Sequence, residues 1–315
     1  MTFLNNKPFL VAETGSNWNT LDDCLKSISL AHACGADAVK FQAYNHQALY
    51  GIDGEIAGSL PLEWLPRLAE KAKATGIEFM CSAFSTELLD AVNPYVNIHK
   101  LASSEMCHVG MLDRLKTYGK KIIVSTGAQT VPDINAVLEY LGPLDVIPLY
   151  CEASYPAKYV NFDVFQAMQA KWPKYQWGFS DHTLDVVETP RRAARLGASV
   201  IEKHVNFVGA TGPDSPHSLS TTEFQIFVSA AQDMLISNIG PTPDELPMIL
   251  RYKRRVIATR DIRAGESFIL GTNFGIFRSL KDDVDAAHPA VASKFERQMS
   301  KRDIKAGDGI SLRDV

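Results

Sequence analysis

Two periodicities take turns along the chain. Short, mostly apolar runs stop at a polar side chain, and each is followed by a longer segment whose apolar positions recur at helical spacing. The predicted strands are 8–12, 36–41, 77–82, 96–102, 121–124, 146–151, 177–182 and 199–204. Predicted helices follow at 20–34, 61–75, 86–92, 109–118, 131–141, 162–170, 184–197 and 221–236. Eight strand-then-helix units over roughly 235 residues match an α/β fold of the (β/α)8 (TIM) barrel type in count and length. An open doubly wound sheet is the alternative, but no GxGxxG follows the first strand. The barrel is assigned to residues 1–238.

Beyond it the texture changes. Residues 239–250 are rich in Pro and Gly with interspersed acids and read as a linker. Residues 251–315 contain an internal repeat: Arg260-Asp-Ile-Arg-Ala-Gly265-Glu returns as Arg302-Asp-Ile-Lys-Ala-Gly307-Asp, with Phe268 and Ile310 each three places after the glycine. Two copies of a turn-bearing unit imply a small, mainly β domain with pseudo-twofold character. At about 65 residues it is marginal by itself and is expected to dock on another surface.

Two of the predicted apolar runs stop at a histidine that lies just past the strand end: Trp177-Gly-Phe-Ser-Asp-His182 and, one helix later, Ser199-Val-Ile-Glu202-Lys203-His204. Parallel strands joined by a right-handed crossover send their C-terminal ends to the same face, so both imidazoles can reach one point. In a (β/α)8 barrel that face carries the site. The polar residues that interrupt or end the strand runs are therefore collected: Glu13, Lys40, Gln42, Ser82, Lys100, Ser103, Glu105, Ser125, Thr126, Tyr155, Ser180, Asp181, His182, Glu202, Lys203 and His204. Two imidazoles beside carboxylates suit a divalent metal. Lys40, Lys100 and Lys203 are cations in apolar runs and need anionic partners. Either Glu13, Glu105 and Glu202 supply them, or an anionic ligand does, a phosphate or carboxylate also held by donors around Ser103 and Ser125-Thr-Gly127. A metal next to an anion site fits a reaction in which one substrate brings a phosphate and the other a carbonyl.

Composition narrows the partners. A net charge of −4 and a pI near 6.1 argue against nucleic acid or an anionic membrane, which require a basic face. No apolar stretch approaches the roughly 20 residues of a membrane span, and residues 1–8 lack the layout of a signal peptide, so a cytoplasmic protein is expected. Five cysteines without a CxxC pair fit reduced thiols, with Cys81 and Cys151 read as small buried hydrophobes.

The series Glu13-Thr-Gly-Ser-Asn17, Lys40-Phe-Gln42, Lys100-Leu-Ala-Ser-Ser-Glu105, Ser125-Thr-Gly127, Tyr155-Pro156, Gly178-Phe-Ser-Asp-His182-Thr, Glu202-Lys-His204 and Gly212-Pro-Asp214 with Ser218-Leu219 resembles the sialic acid (N-acetylneuraminate) synthase family. The tail resembles that family's antifreeze-like (SAF) domain. The resemblance implies a metal-dependent condensation of phosphoenolpyruvate with an N-acyl hexosamine such as N-acetylmannosamine, giving a nine-carbon 2-keto acid and phosphate. It implies Mn2+, or else Mg2+ or Co2+, held by His182 and His204, and a domain-swapped homodimer. It places Lys40, Ser82, Lys100, Ser103, Ser125 and Ser180 on phosphoenolpyruvate, with Glu13 serving the attacking water or the metal-bound water. Gln42, Tyr155 and Asp214 would face the sugar, together with Arg278 reaching from the tail of a partner. Departures from the pattern are Trp18 in place of a histidine, Tyr150 and Ala153 around the sixth strand, Ser82-Ala83-Phe84 and Phe277-Arg278-Ser279. They fall mainly on sugar-side and secondary contacts and so bear on the acceptor. The alternatives are a phosphoenolpyruvate-dependent synthase using another aldose or a sugar phosphate, and a catalytically silent homologue with a binding or assembly role.

Overall fold

The computed structural model describes residues 7–233, 252–279 and 285–315 of the chain. The chain forms two compact units, Met1–Met234 and Leu235–Val315. The predicted linker at 239–250 lies outside the described residues, as do the last positions of the helix predicted to end at 236.

The first unit is a closed barrel. Its strands are β1 (Phe9–Gly15), β2 (Ala38–Ala43), β3 (Glu78–Ala83), β4 (Ile98–Leu101), β5 (Lys121–Ser125), β6 (Val146–Tyr150), β7 (Gly178–Asp181) and β8 (Val200–Asn206). Each pairs in parallel with the next, and β1 closes the ring against β8 in a register from Phe9↔Val200 to Glu13↔His204. The long helix that follows each strand is α1 (Leu21–Ala33), α2 (Leu65–Thr75, after a short helix at His46–Tyr50), α3 (Thr86–Val92), α4 (Val109–Tyr118), α5 (Val131–Leu141), α6 (Phe162–Lys171), α7 (Glu188–Arg195) and α8 (Thr221–Gln232). Local signals set their starts. Thr20 with Asp23, Thr130 with Asp133, and Ser220 with Glu223 close reciprocal caps on α1, α5 and α8.

Two expectations are corrected here. The predicted helix 184–197 begins only at Glu188, because the Asp185 carboxylate accepts bonds from the backbone N–H groups of Val187, Glu188 and Thr189 and holds the preceding residues in a capping turn. His182 lies just past β7 as expected, whereas His204 lies inside β8 rather than beyond its end.

Side-chain alternation divides every strand into an outward and an inward set. Outward residues such as Leu10, Val39, Phe41, Phe79, Phe179 and Ile201 pack under the helices in the main core. Inward, Phe9, Val11, Ala38, Met80, Ile98, Ile123, Ile147, Leu149 and Val200 form a separate apolar cluster in the lower barrel. Continuing the inward alternation toward the strand ends gives Glu13, Lys40, Gln42, Ser82, Lys100, Ser125, Ser180, Glu202 and His204. Gly178 marks how tight the interior is. A Cβ there would lie 2.7 Å from the Val200 carbonyl oxygen, a separation that side chains do not tolerate.

In the second unit Arg254–Ala258 pairs antiparallel with Phe274–Arg278 over a core that includes Val256, Ile262, Phe268, Phe274, Phe295, Ile304 and Ile310. The sequence repeat is reciprocal in space. Ile262 and Ile304 exchange two backbone bonds of 2.8 Å. Asp261 Oδ1 accepts from the Ala306 N–H at 2.9 Å and Asp303 Oδ1 from the Ala264 N–H at 2.8 Å, so each repeat's aspartate holds the other's Ala-Gly turn. Among the described residues no helix is long and apolar enough to cross a membrane.

Candidate active site

Where the inward set turns polar, four charged side chains meet. Lys40 Nζ is paired with the Glu13 carboxylate, lies 3.1 Å from Ser82 Oγ and lies 3.6 Å from Glu202 Oε2. Lys100 Nζ lies 3.6 Å from Glu202 Oε1, which also accepts from Ser180 Oγ at 3.0 Å. All four charges are buried, two of each sign, so the lysines are compensated before any ligand arrives. Burial lowers Lys40 to about 8 against the pull of Glu202. Burial works to raise Glu202, but Lys100 and Lys40 outweigh it and hold it at about 2. Glu13 Oε1 accepts from the Gly15 N–H at 2.6 Å, which fixes the carboxylate while Oε2 faces Lys40.

Lys203, expected among these cations, belongs elsewhere. Glu202 and His204 take the inward positions, so Lys203 between them turns outward and pairs with Asp181 at 3.3 Å, with both side chains fully buried. That pair grips the turn after β7: Lys203 Nζ donates to the Thr183 carbonyl and Asp181 Oδ1 accepts from the Thr183 N–H at 2.8 Å.

A cluster of rings adjoins the charges. His182 Nδ1 donates to the Glu152 carbonyl at 2.6 Å, leaving Nε2 as a lone-pair nitrogen 3.4 Å from Ser180 Oγ. Tyr155 stacks on His182 with centroids 4.1 Å apart, and burial raises its phenol. The ring of His204 is 6.2 Å from that of His182 and 4.9 Å from that of His217. Burial lowers His182 to about 4 and His204 to about 3, so both are neutral near pH 7 and keep lone pairs to donate. Asp214 sits beside them. Burial acts to raise its carboxyl, but His217, His204 and Ser16 hold it well below the usual range. Neutral imidazoles next to an ionised carboxylate, with a His204 Nδ1 that is buried without a hydrogen-bond partner, fit a divalent cation. A ring nitrogen of His204, a carboxylate oxygen of Asp214 and a ring nitrogen of His217 lie within 4.8 Å of one another; His182 is outside that group.

The remaining predicted residues of the first unit whose contacts are seen fall around these two ends. Ser103 Oγ accepts from the Gly127 N–H at 3.0 Å and lies 3.5 Å from Cys151 Sγ, and Ser125 is buried at the end of β5. The Gln42 amide lies beside Gly15 and Asp214. Arg278 is in the second unit, where its guanidinium lies over the Tyr252 ring at 5.1 Å. Glu202 is in the place expected of a lysine partner and stands between both lysines. Two further residues, Ser16 and His217, have no role that the sequence assigns. Ser16 binds Asp214 Oδ2 through its N–H at 2.8 Å and its hydroxyl at 2.9 Å. His217 was detectable only as a histidine one turn after Asp214 in Asp-Ser-Pro-His.

The model of the NeuB family matches residues 27–238. The uncharacterized protein MJ1065 of Methanocaldococcus jannaschii is 33% identical over 275 residues, 82% of this chain and 81% of that protein. An N,N'-diacetyllegionaminic acid synthase of Legionella pneumophila is 29% identical over 292 residues, 82% of each chain. A crystal structure of an N-acetylneuraminic acid (sialic acid) synthetase from Leptospira borgpetersenii, in complex with citrate, superposes with a TM-score of 0.67 at 26% identity, covering 78% of this chain and 91% of that one. On the extent of the family match and on these relatives, the chain belongs to the NeuB family.

Proposed function

We propose that this protein joins C3 of phosphoenolpyruvate to the aldehyde carbon of an N-acylated amino sugar, forming a 2-keto sugar acid and inorganic phosphate. The observation that carries the reading is the meeting of two buried lysines with the neutral imidazoles of His182 and His204 at one end of the barrel interior. Membership of the NeuB family and the names of its relatives support the same chemistry.

In this reading Lys40 and Lys100 turn toward the phosphate and carboxylate of phosphoenolpyruvate, with Ser82, Ser103, Ser125 and Ser180 donating hydroxyls. Glu13 Oε2 accepts a proton from the water that adds to C2, and phosphate then leaves with cleavage of its C–O bond. Tyr155 and Gln42 orient the sugar, and Asp214 accepts from a sugar hydroxyl or serves the cation beside it. The histidine end, His204 with His182 nearby, would hold a divalent cation, Mn2+ in this proposal, which would supply the positive charge that polarises the aldehyde. The lower apolar layer keeps water from the C2 cation except at the site's open end.

The test is phosphate release from phosphoenolpyruvate by the metal-stripped full chain. It is measured with and without Mn2+, against N-acetylmannosamine, its 6-phosphate and a set of 2,4-diacetamido aldoses. Release that needs both the metal and one sugar is expected and names the acceptor. Release at the same rate without any sugar would make the protein a phosphatase and overturn the reading.

A further inference from the structure

His217 is the one histidine of the ring cluster that neither strand alternation nor the resemblance assigns. It is 9% exposed, ends the short turn Ser215–His217, and its ring lies 4.9 Å from those of His204 and Tyr155. Its Nε2 lies 3.3 Å from Asp214 Oδ1, yet the approach lacks hydrogen-bond geometry and leaves that nitrogen without a partner. His204 Nδ1 is buried and unpartnered in the same way. Two orphaned imidazole nitrogens beside one ionised carboxylate are costly unless a shared partner satisfies them.

The carboxylate is held ready for that partner. Asp214 Oδ2 is occupied by the Ser16 N–H and hydroxyl, and the Asp214 N–H donates to Ser16 Oγ at 3.1 Å, so Oδ1 is left facing His217. The loop is tied down on its far side as well: Ser218 Oγ donates to the Asp214 carbonyl and accepts from Asn17 Nδ2, each at 2.7 Å. At Gly212 a Cβ would collide with the Ser16 carbonyl oxygen, so the loop after β8 lies directly on the loop after β1. The three donor atoms, all within 4.8 Å, need only modest side-chain rotation to reach the roughly 3–4 Å separations of ligands about 2.1 Å from one ion.

We propose that His217 is a direct protein ligand of the divalent cation, completing with His204 and Asp214 a set of two histidines and one carboxylate on the β8 side of the site. This rests on the metal-dependent reading above and deepens it. It shifts Asp214 from the sugar to the ion and gives the ion a fixed ligand beyond the pair on β7 and β8. Such a set takes Mn2+, Fe2+, Co2+ or Zn2+ and leaves further coordination positions open to substrate.

The experiment is a metal titration of the full chain after metal stripping, with Co2+ and Mn2+ in competition with a chromophoric chelator, on the unaltered protein, His217→Ala and His217→Gln. The visible bands of the Co2+ form and the imidazole nitrogen couplings of bound Mn2+ by pulsed EPR are recorded on the same samples. His217→Ala is expected to weaken Co2+ binding by more than about tenfold, the scale on which even residues behind the ligands act. It should also alter the Co2+ bands and remove one imidazole coupling, with the metal-free unfolding midpoint unchanged. His217→Gln, which keeps bulk and an oxygen donor, should lose the same coupling with a smaller loss of affinity. It also decides the matter if the alanine variant does not fold. Unchanged affinity, bands and coupling count in the variants overturn the proposal alone. Absence of stoichiometric binding by the unaltered protein overturns the metal-dependent reading and the proposal with it.

Discussion

The lower and upper halves of the barrel interior are built from the same eight strands and filled in opposite ways. Below, Phe9, Val11, Met80, Ile98, Ile123 and Ile147 pack an apolar cluster in which every contact favours the folded chain. Two residues beyond Val11, Ala38, Ile98 and Val200 of this cluster, Glu13, Lys40, Lys100 and Glu202 put four charges into the same narrow space. Mutual pairing offsets their desolvation without making it a source of stability. The lesson is that the lower half holds the barrel closed, so the upper half is free to keep groups that folding alone would not select.

The comparison breaks first at the upper half. Lys100→Met should cut kcat/KM for phosphate release by about a hundred- to a thousandfold, the scale of losing one preorganised charged donor. His182→Ala should abolish measurable turnover. Both proteins should remain folded by circular dichroism, and full activity in either would remove that residue from the site. Met80→Ala, in the lower half, should cost about 2–5 kcal/mol in urea unfolding while activity per folded molecule is kept. A large activity loss there would show that the two halves are not separable.

Acid should distinguish the halves next. In the unfolded chain His182 binds a proton near its ordinary 6.5, but in the folded protein burial delays it to about 4, and His204 to about 3. The unfolded state therefore holds more protons in between, so metal-free stability should fall as pH drops from about 6.5 toward 4. The His182 share is roughly 3 kcal/mol, at about 1.4 kcal/mol per pH unit. Glu202, held at about 2, acts in the same direction: its contribution is present above the ordinary carboxylate range and is lost as pH falls toward 2. His99, buried away from the site and lowered to about 4, adds to the same slope, so the difference between the unaltered protein and His182→Ala isolates the His182 share. An identical slope in the two proteins would refute it. The smallest effect belongs to Ile123→Val in the lower layer, about 0.5–1.5 kcal/mol and independent of pH.

Much of this was legible in the sequence because it depends on local geometry. The helices at 86–92, 109–118 and 131–141 start and stop where predicted, since their caps and apolar spacing lie within a few residues of one another. Strand ends were less exact: β1 runs on through Glu13 to Gly15 and β8 through His204 to Asn206, because pairing with neighbours extends a strand past its apolar run. The false start at 184 arose from a turn in which one aspartate satisfies several backbone donors, a preference that apolar periodicity does not register.

For the site, the sequence by itself determined which polar residues interrupt or end the apolar strand runs, because a parallel barrel brings the ends of its strands to one face. From that came Glu13, Lys40, Ser82, Lys100, Ser180 and His204. Only the tertiary structure decided who meets whom. Lys203 found Asp181 on the outer face, Glu202 came to lie between two lysines from other strands, and Asp214 with His217 was brought to His204 by bonds to Ser16, 198 residues away. Such pairings depend on how β1 closes against β8 and on the path of the loop beyond it, and no local preference in the chain encodes either.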